Sequence, residues 1–194
     1  MITQTKGFTL IEALFAMFIL AVGILGIIGL MLFAKQNNYD AIQRTTAAML
    51  ATDIVERMRV NTSALPNYRS KLEPVPANTV PSPDPCTPVA SGTSGCTPSQ
   101  IAARDLDIWH SLISGATETL PDDSNGGGLL EPSACITQVT DNHYRIAIAW
   151  RGRTALTNPL ADTCGSGTVL YNGPGNANEF RRLFVMDAFI ETTK

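Results

Sequence analysis

Lys6-Gly7-Phe8-Thr9-Leu10-Ile11-Glu12, followed by the uncharged and proline-free run from Ala13 to Ala34, decides how this 194-residue chain is organised. An apolar helix crosses a hydrocarbon core of about 30 Å with roughly 20 residues, at a rise of about 1.5 Å each. The run meets that length. It exceeds the apolar stretch of an ordinary secretory signal, about 7–15 residues, and no small-residue cleavage site comes after it. Glu12 is the anomaly. Either it lies in the headgroup layer, favoured by the positive end of the helix dipole, or it is a costly intramembrane carboxylate that requires a neutralising partner.

Beyond Ala34 the pattern stays helical and becomes amphipathic. Ala47, Leu50, Ile54 and Met58 fall at spacings of three and four and form one apolar stripe. Gln43, Arg44, Asp53 and Arg57 lie mostly off that stripe, and Asp53 with Arg57 is a supportive i,i+4 pair. The spacing predicts one helix from Phe8 to Asn61: a membrane and assembly half over 8–34, and an amphipathic half over 35–61 that packs under a globular head. Gly23, Gly26 and Gly29 lie within the span, as ordinary membrane-helix glycines or as places of close helix approach.

The head, 62–194, opens with a change of composition. Eight of the twelve prolines lie between Thr62 and Ser99, which predicts an extended, loop-like segment. Thr97-Pro98-Ser99-Gln100 then has capping-box spacing, with proline at the first helical position. Ala102, Leu106, Trp109 and Ile113 make the apolar face of that second helix, Gly115 stops it, and His110 is expected off the face in solvent. Pro121 to Gly128 has the oxygen chemistry of a calcium loop. However, aligning Gly126 with the loop glycine puts Pro121 at the first ligand position, and no glutamate closes the loop, so a turn is expected. Ile136–Thr140 and Tyr144–Trp150 flank Asp141-Asn142-His143 as a hairpin. Tyr144, Ile146, Ile148 and Trp150 alternate with Arg145, Ala147 and Ala149, so one face is buried. A glycine- and asparagine-rich stretch from Thr154 to Asn178 leads to a last strand, Arg182–Ile190, with Arg181-Arg182 as a solvated entrance. The fold class is α+β: a long N-terminal helix packed on a small antiparallel β-sheet.

Net charge is −3, and no basic block marks a nucleic-acid ligand. Cys86, Cys96, Cys135 and Cys164 all lie after the span, and an even count in loop-like surroundings fits disulfides in an oxidising compartment such as the periplasm. Three connectivities are open. The smaller loops favour Cys86–Cys96 and Cys135–Cys164. No C-x-x-C pair or histidine spacing offers a zinc site, and no cofactor motif is present. With no nucleophile elbow, no phosphate loop, no metal-spaced cluster, and no catalytic companion near His143 at its turn, an enzyme is not expected.

Gly7-Phe8-Thr9-Leu10-Ile11-Glu12, with its membrane run directly behind, resembles the class III signal of type IV pilins and type II secretion pseudopilins. The resemblance implies that a membrane aspartyl prepilin peptidase removes the leader 1–7 after Gly7 and N-methylates Phe8, leaving a net charge of −4 once Lys6 is gone. It also implies that Glu12 pairs with the terminal amine of a neighbouring subunit. Ala51 to Asn61, Asp105 to Trp109, Leu120-Pro121 and Tyr144 to Trp150 are similar to the pattern of PilV type minor pilins. A chain of that type would be a single-pass inner-membrane protein with a periplasmic C-terminal head. It would join other minor and major pilins and a tip adhesin at the filament tip, and help start pilus assembly. An adhesive or ligand-binding head acting through residues 62–98, and a type II secretion minor pseudopilin, are the alternatives. Pilins commonly place a variable loop after the long helix, and the proline-rich loop and the Cys86–Cys96 interval are not among the features that carry this resemblance.

Overall fold

In the computed structural model, which describes residues 7–77, 95–122, 124–175 and 177–191, α1 runs Leu10–Val60. The Thr9 carbonyl starts it, accepting from the amides of Glu12 at 3.1 Å and Ala13 at 3.2 Å. The chain divides into two units, Met1–Ala41 and Ile42–Lys194. In the first, residues 7–38 are exposed throughout, and they include the apolar helix long enough to cross a membrane. A helix that is apolar on every side is favourable only in lipid or in a bundle of like helices.

The second unit holds the packed head. Ala47, Ala51, Ile54, Val55 and Met58 of α1 enter its core with Leu50 partly buried beside them, which adds Ala51 and Val55 to the expected stripe. Gln43 departs from the pattern: it is buried, and its side-chain amide donates to the Gly128 carbonyl at 3.4 Å and accepts from the Leu130 amide at 3.1 Å. Its polar type points to solvent, yet its position lets it satisfy a loop's main chain from within the stripe.

After α1 the proline-rich stretch is more structured than expected as far as Ala77. A 3-10 turn spans Thr62–Tyr68, with Pro66 inside it, and β1 is Ser70–Leu72. Both are too short to carry a periodic signal. α2, Pro98–Ser114, begins with the capping box of Thr97 and Gln100 and ends at Gly115. That glycine is required. Its φ is 73°, and a Cβ there would lie 2.0 Å from the Gly127 carbonyl oxygen. Trp109 is fully buried and its indole N–H donates to the Leu50 carbonyl at 2.8 Å, joining α2 to α1. His110 is buried as well, against the expectation of a solvated side chain, with Nε2 3.2 Å from the Ser70 hydroxyl. The 3-10 turn Thr62–Tyr68 packs on α2, and Ser70 at the start of β1 reaches the ring. Burial pushes the His110 imidazole below its ordinary pKa, against the opposing field of Asp107.

The sheet is an antiparallel meander in the order β1-β2-β3-β4, with β2 at Ser133–Thr140, β3 at His143–Arg151 and β4 at Arg181–Phe189. β2 starts three residues earlier than the hairpin pattern indicates. Tyr144, Ile146, Ile148 and Trp150 join Ala134, Ile136 and Ala188 in the core shared with the helices. The opposite face is not open, as simple alternation would have it. Ala147 and Ala149 are buried, and Ala147 packs with Cys135, Cys164, Leu183 and Val185 in a second cluster. The cover comes from residues 152–180, whose composition suggests a loose loop. Tyr171 anchors that segment: its buried hydroxyl donates to the Glu131 carbonyl at 2.7 Å and meets the Ser133 hydroxyl at 2.9 Å. Burial pushes its pKa up to about 12.

Candidate assembly site

Gly7 and Phe8 precede α1, and Glu12 occupies its first helical turn. Phe8 is 78% exposed. Among the described residues Glu12 has no ion pair or hydrogen-bonded side-chain partner. A carboxylate in the first turn is favoured by the helix dipole, by about 0.3–1 kcal/mol at an exposed site. Burying an unpaired charge among apolar helices costs several kcal/mol, so the dipole does not offset it. Among the described residues, the start of α1 thus presents an acceptor with no cation beside it. Gly7 is not explained by packing either, since a side chain there would meet nothing within 4 Å. Nor would a side chain at Gly23, Gly26 or Gly29 meet anything within that distance outside the helix's own backbone.

In the head, the polar network is structural in character. Arg57 bridges Asp53 at 2.9 Å, the expected i,i+4 pair, and also Asp105 of α2 at 3.2 Å. The buried Tyr68 donates to the other Asp105 oxygen at 2.5 Å and accepts from the Asn61 side chain at 3.2 Å. Burial, reinforced by the Asp105 hydrogen bond, raises the Tyr68 pKa above the ordinary phenol range. These groups fasten the end of α1 to α2.

Arg181 overturns the reading of a solvated strand entrance. It is 2% exposed, and its guanidinium donates to Asn158 Oδ1 at 2.9 Å, the Cys164 carbonyl at 2.6 Å and the Asp162 carbonyl at 3.0 Å. A further bond goes to the Pro159 carbonyl. Sequence offers no signal for this, because the acceptors belong to a distant loop and most are main-chain oxygens. Cys135 and Cys164 form a disulfide with Cα atoms 5.9 Å apart, linking that loop to β2. Cys86 of the other favoured pair lies outside the described residues. Glu73 sits against the disulfide, accepting from the Gly165 amide at 2.7 Å. The two sulfurs beside it are bonded to each other, so they offer no thiolate for a metal.

His143 has an acidic neighbour that its sequence surroundings hide. Strand register brings Asp187 to 2.9 Å from Nε2, and Arg145 donates to the same carboxylate at 2.9 Å. The Arg145 bond, then the His143 bond, hold Asp187 below the usual carboxylate range. His143 also stacks on Phe189, with ring centroids 4.5 Å apart. None of these contacts includes a nucleophilic hydroxyl or thiol.

An exposed apolar helix long enough to cross a membrane, whose amphipathic second half packs in an α+β head, fits a membrane-anchored protein of the pilin type. Residues 2–28 match the prokaryotic N-terminal methylation motif, and residues 30–107 match the family described as type IV pilin Tt1218. The two matches support a type IV pilin, a structural rather than an enzymatic family. Neither match distinguishes the PilV type. No curated protein and no solved structure matches the chain.

Proposed function

We propose that the protein is a minor pilin of the PilV type that primes type IV pilus assembly. Prepilin peptidase removes residues 1–7 and methylates Phe8. The mature chain, 8–194, then waits in the inner membrane with its head in the periplasm. The observation that carries the reading is Glu12, a carboxylate with no side-chain partner among the described residues, at the start of a helix whose residues 10–38 are all exposed. In a bundle of such helices, the methylated amine of another pilin is the cation within reach. Pairing would fix each subunit's register as it leaves the lipid. At the filament tip the head would meet other minor pilins and a tip adhesin.

Deletion of the chain in a pilus-bearing host, with surface filaments counted, tests the role. Loss of filaments that is reversed on complementation supports priming. Normal filaments with lost attachment would make the head an adhesive module instead. Normal filaments with normal attachment would reject both readings.

A further inference from the structure

β4 is an edge strand of nine residues, paired with β3 from Arg181↔Arg151 to Phe189↔His143 without a register shift. Along its outer side, among the described residues, no backbone group outside the β3 ladder bonds Leu183–Phe189. The other edge is handled differently: β1 has three residues, carries exposed Lys71 and runs into Pro74. Sheet edges are normally protected by shortness, bulges, proline or charge. Leu183-Phe184-Val185-Met186 has none of these and is only partly buried. One acidic group, Asp187, stands exposed at this edge, with Arg145 and His143 both on its β3 side.

We infer that the outer edge of β4 accepts an extended strand from another pilus subunit, apolar in alternation and with a basic side chain facing Asp187. The added strand would complete the ladder with its own N–H and C=O groups, while its side chains extend the rows of Leu183 and Val185 on one face and Phe184 and Met186 on the other. A second copy of this chain fits less well. In an antiparallel β4–β4 pair, opposite residues share a face, and the basic residue on the Asp187 face is Arg181, which is buried in its loop. That the partner is a pilus subunit rests on the proposed function; the strand addition does not, and normal filaments in a deletion strain would leave peptide binding unaffected.

The test uses the full chain in detergent micelles and a fluorescein-labelled peptide, Thr-Val-Lys-Val-Thr-Val-Thr, monitored by anisotropy and by amide hydrogen exchange. The expected result is saturable binding, with new protection at alternate amides of Leu183–Phe189. Asp187→Lys should weaken it by about tenfold, and a peptide with Glu in place of Lys should recover the loss. That charge-swap pair guards against an effect of the substitution on folding. Methylating alternate peptide nitrogens removes ladder donors and should abolish binding. Equal binding of the methylated peptide, protection elsewhere, or no binding at all overturns the inference. Protection of β4 without peptide, in a chain that sediments as a dimer, would assign the edge to a second copy and overturn the partner.

Discussion

Replacing Arg181 by alanine should destabilise the head by about 3 kcal/mol. Four acceptors lose their donor: the carbonyls of Pro159, Asp162 and Cys164, and the Asn158 amide oxygen. Hydrogen bonds to a charged group contribute about 1.5–3 kcal/mol each, so the gross loss is roughly 6–12 kcal/mol. Burying the guanidinium costs several kcal/mol, which the variant regains. Water reaching the loop carbonyls recovers part of the rest. Arg181→Lys should recover less than half, because a compact ammonium cannot span acceptors that a planar fork reaches. Arg181→Met keeps the apolar stem and should remain destabilised, since three main-chain oxygens still lack a partner. The assay is urea unfolding of the full chain in detergent, read from the fluorescence of Trp109 and Trp150, the two tryptophans of the chain. A methionine variant as stable as the parent would refute the reasoning, because it would show that the buried charge costs as much as its hydrogen bonds return.

Opening Cys135–Cys164 by serine substitution should cost about 3.6 kcal/mol on the chain-entropy model, given a separation of 29 residues; an unchanged urea midpoint would contradict it. Combined with Arg181→Ala, the loss should fall short of the sum, as both fasten one loop; strict additivity would separate them. Stability should also fall as pH drops below about 6.5, because the unfolded imidazole of His110 then takes a proton that burial denies to the folded one. His110→Gln should flatten that slope, whereas Asp187 acts only in the more acid range below the ordinary carboxylate pKa. Gly115→Ala should cost more than about 2 kcal/mol, from the left-handed backbone and the clash with Gly127; a thermal shift no larger than that of a surface Gly→Ala control would argue against the requirement.

Periodicity makes the two helices legible, because each repeats its signal over several turns. Thr97, Gln100 and Gly115 mark the limits of α2, since capping uses neighbours in sequence. Alternation discloses β3 and β4 but misjudges the far face of the sheet. Ala147 and Ala149 look indifferent in sequence, and only the folded segment 152–180 buries them. Arg181, His110 and Gln43 mislead for one reason: residue type indicates solvent, while their partners lie on loops or strands remote in the chain. The assembly site divides in the same way. The proposal for Gly7, Phe8 and Glu12 rests on a short contiguous stretch, the kind of signal that sequence displays directly. The β4 edge is not readable, because its exposure depends on strand order.

The most direct measurement is the distribution of a Glu12→Ala chain between membrane and sheared filaments, in a host lacking the native copy. Charge pairing at Glu12 predicts a chain that accumulates in the membrane, cleaved after Gly7, with little in the filaments and filament numbers no higher than in the deletion strain. A Glu12→Ala chain that enters filaments at the parental level and restores their number would contradict that pairing, and with it the proposed mode of assembly.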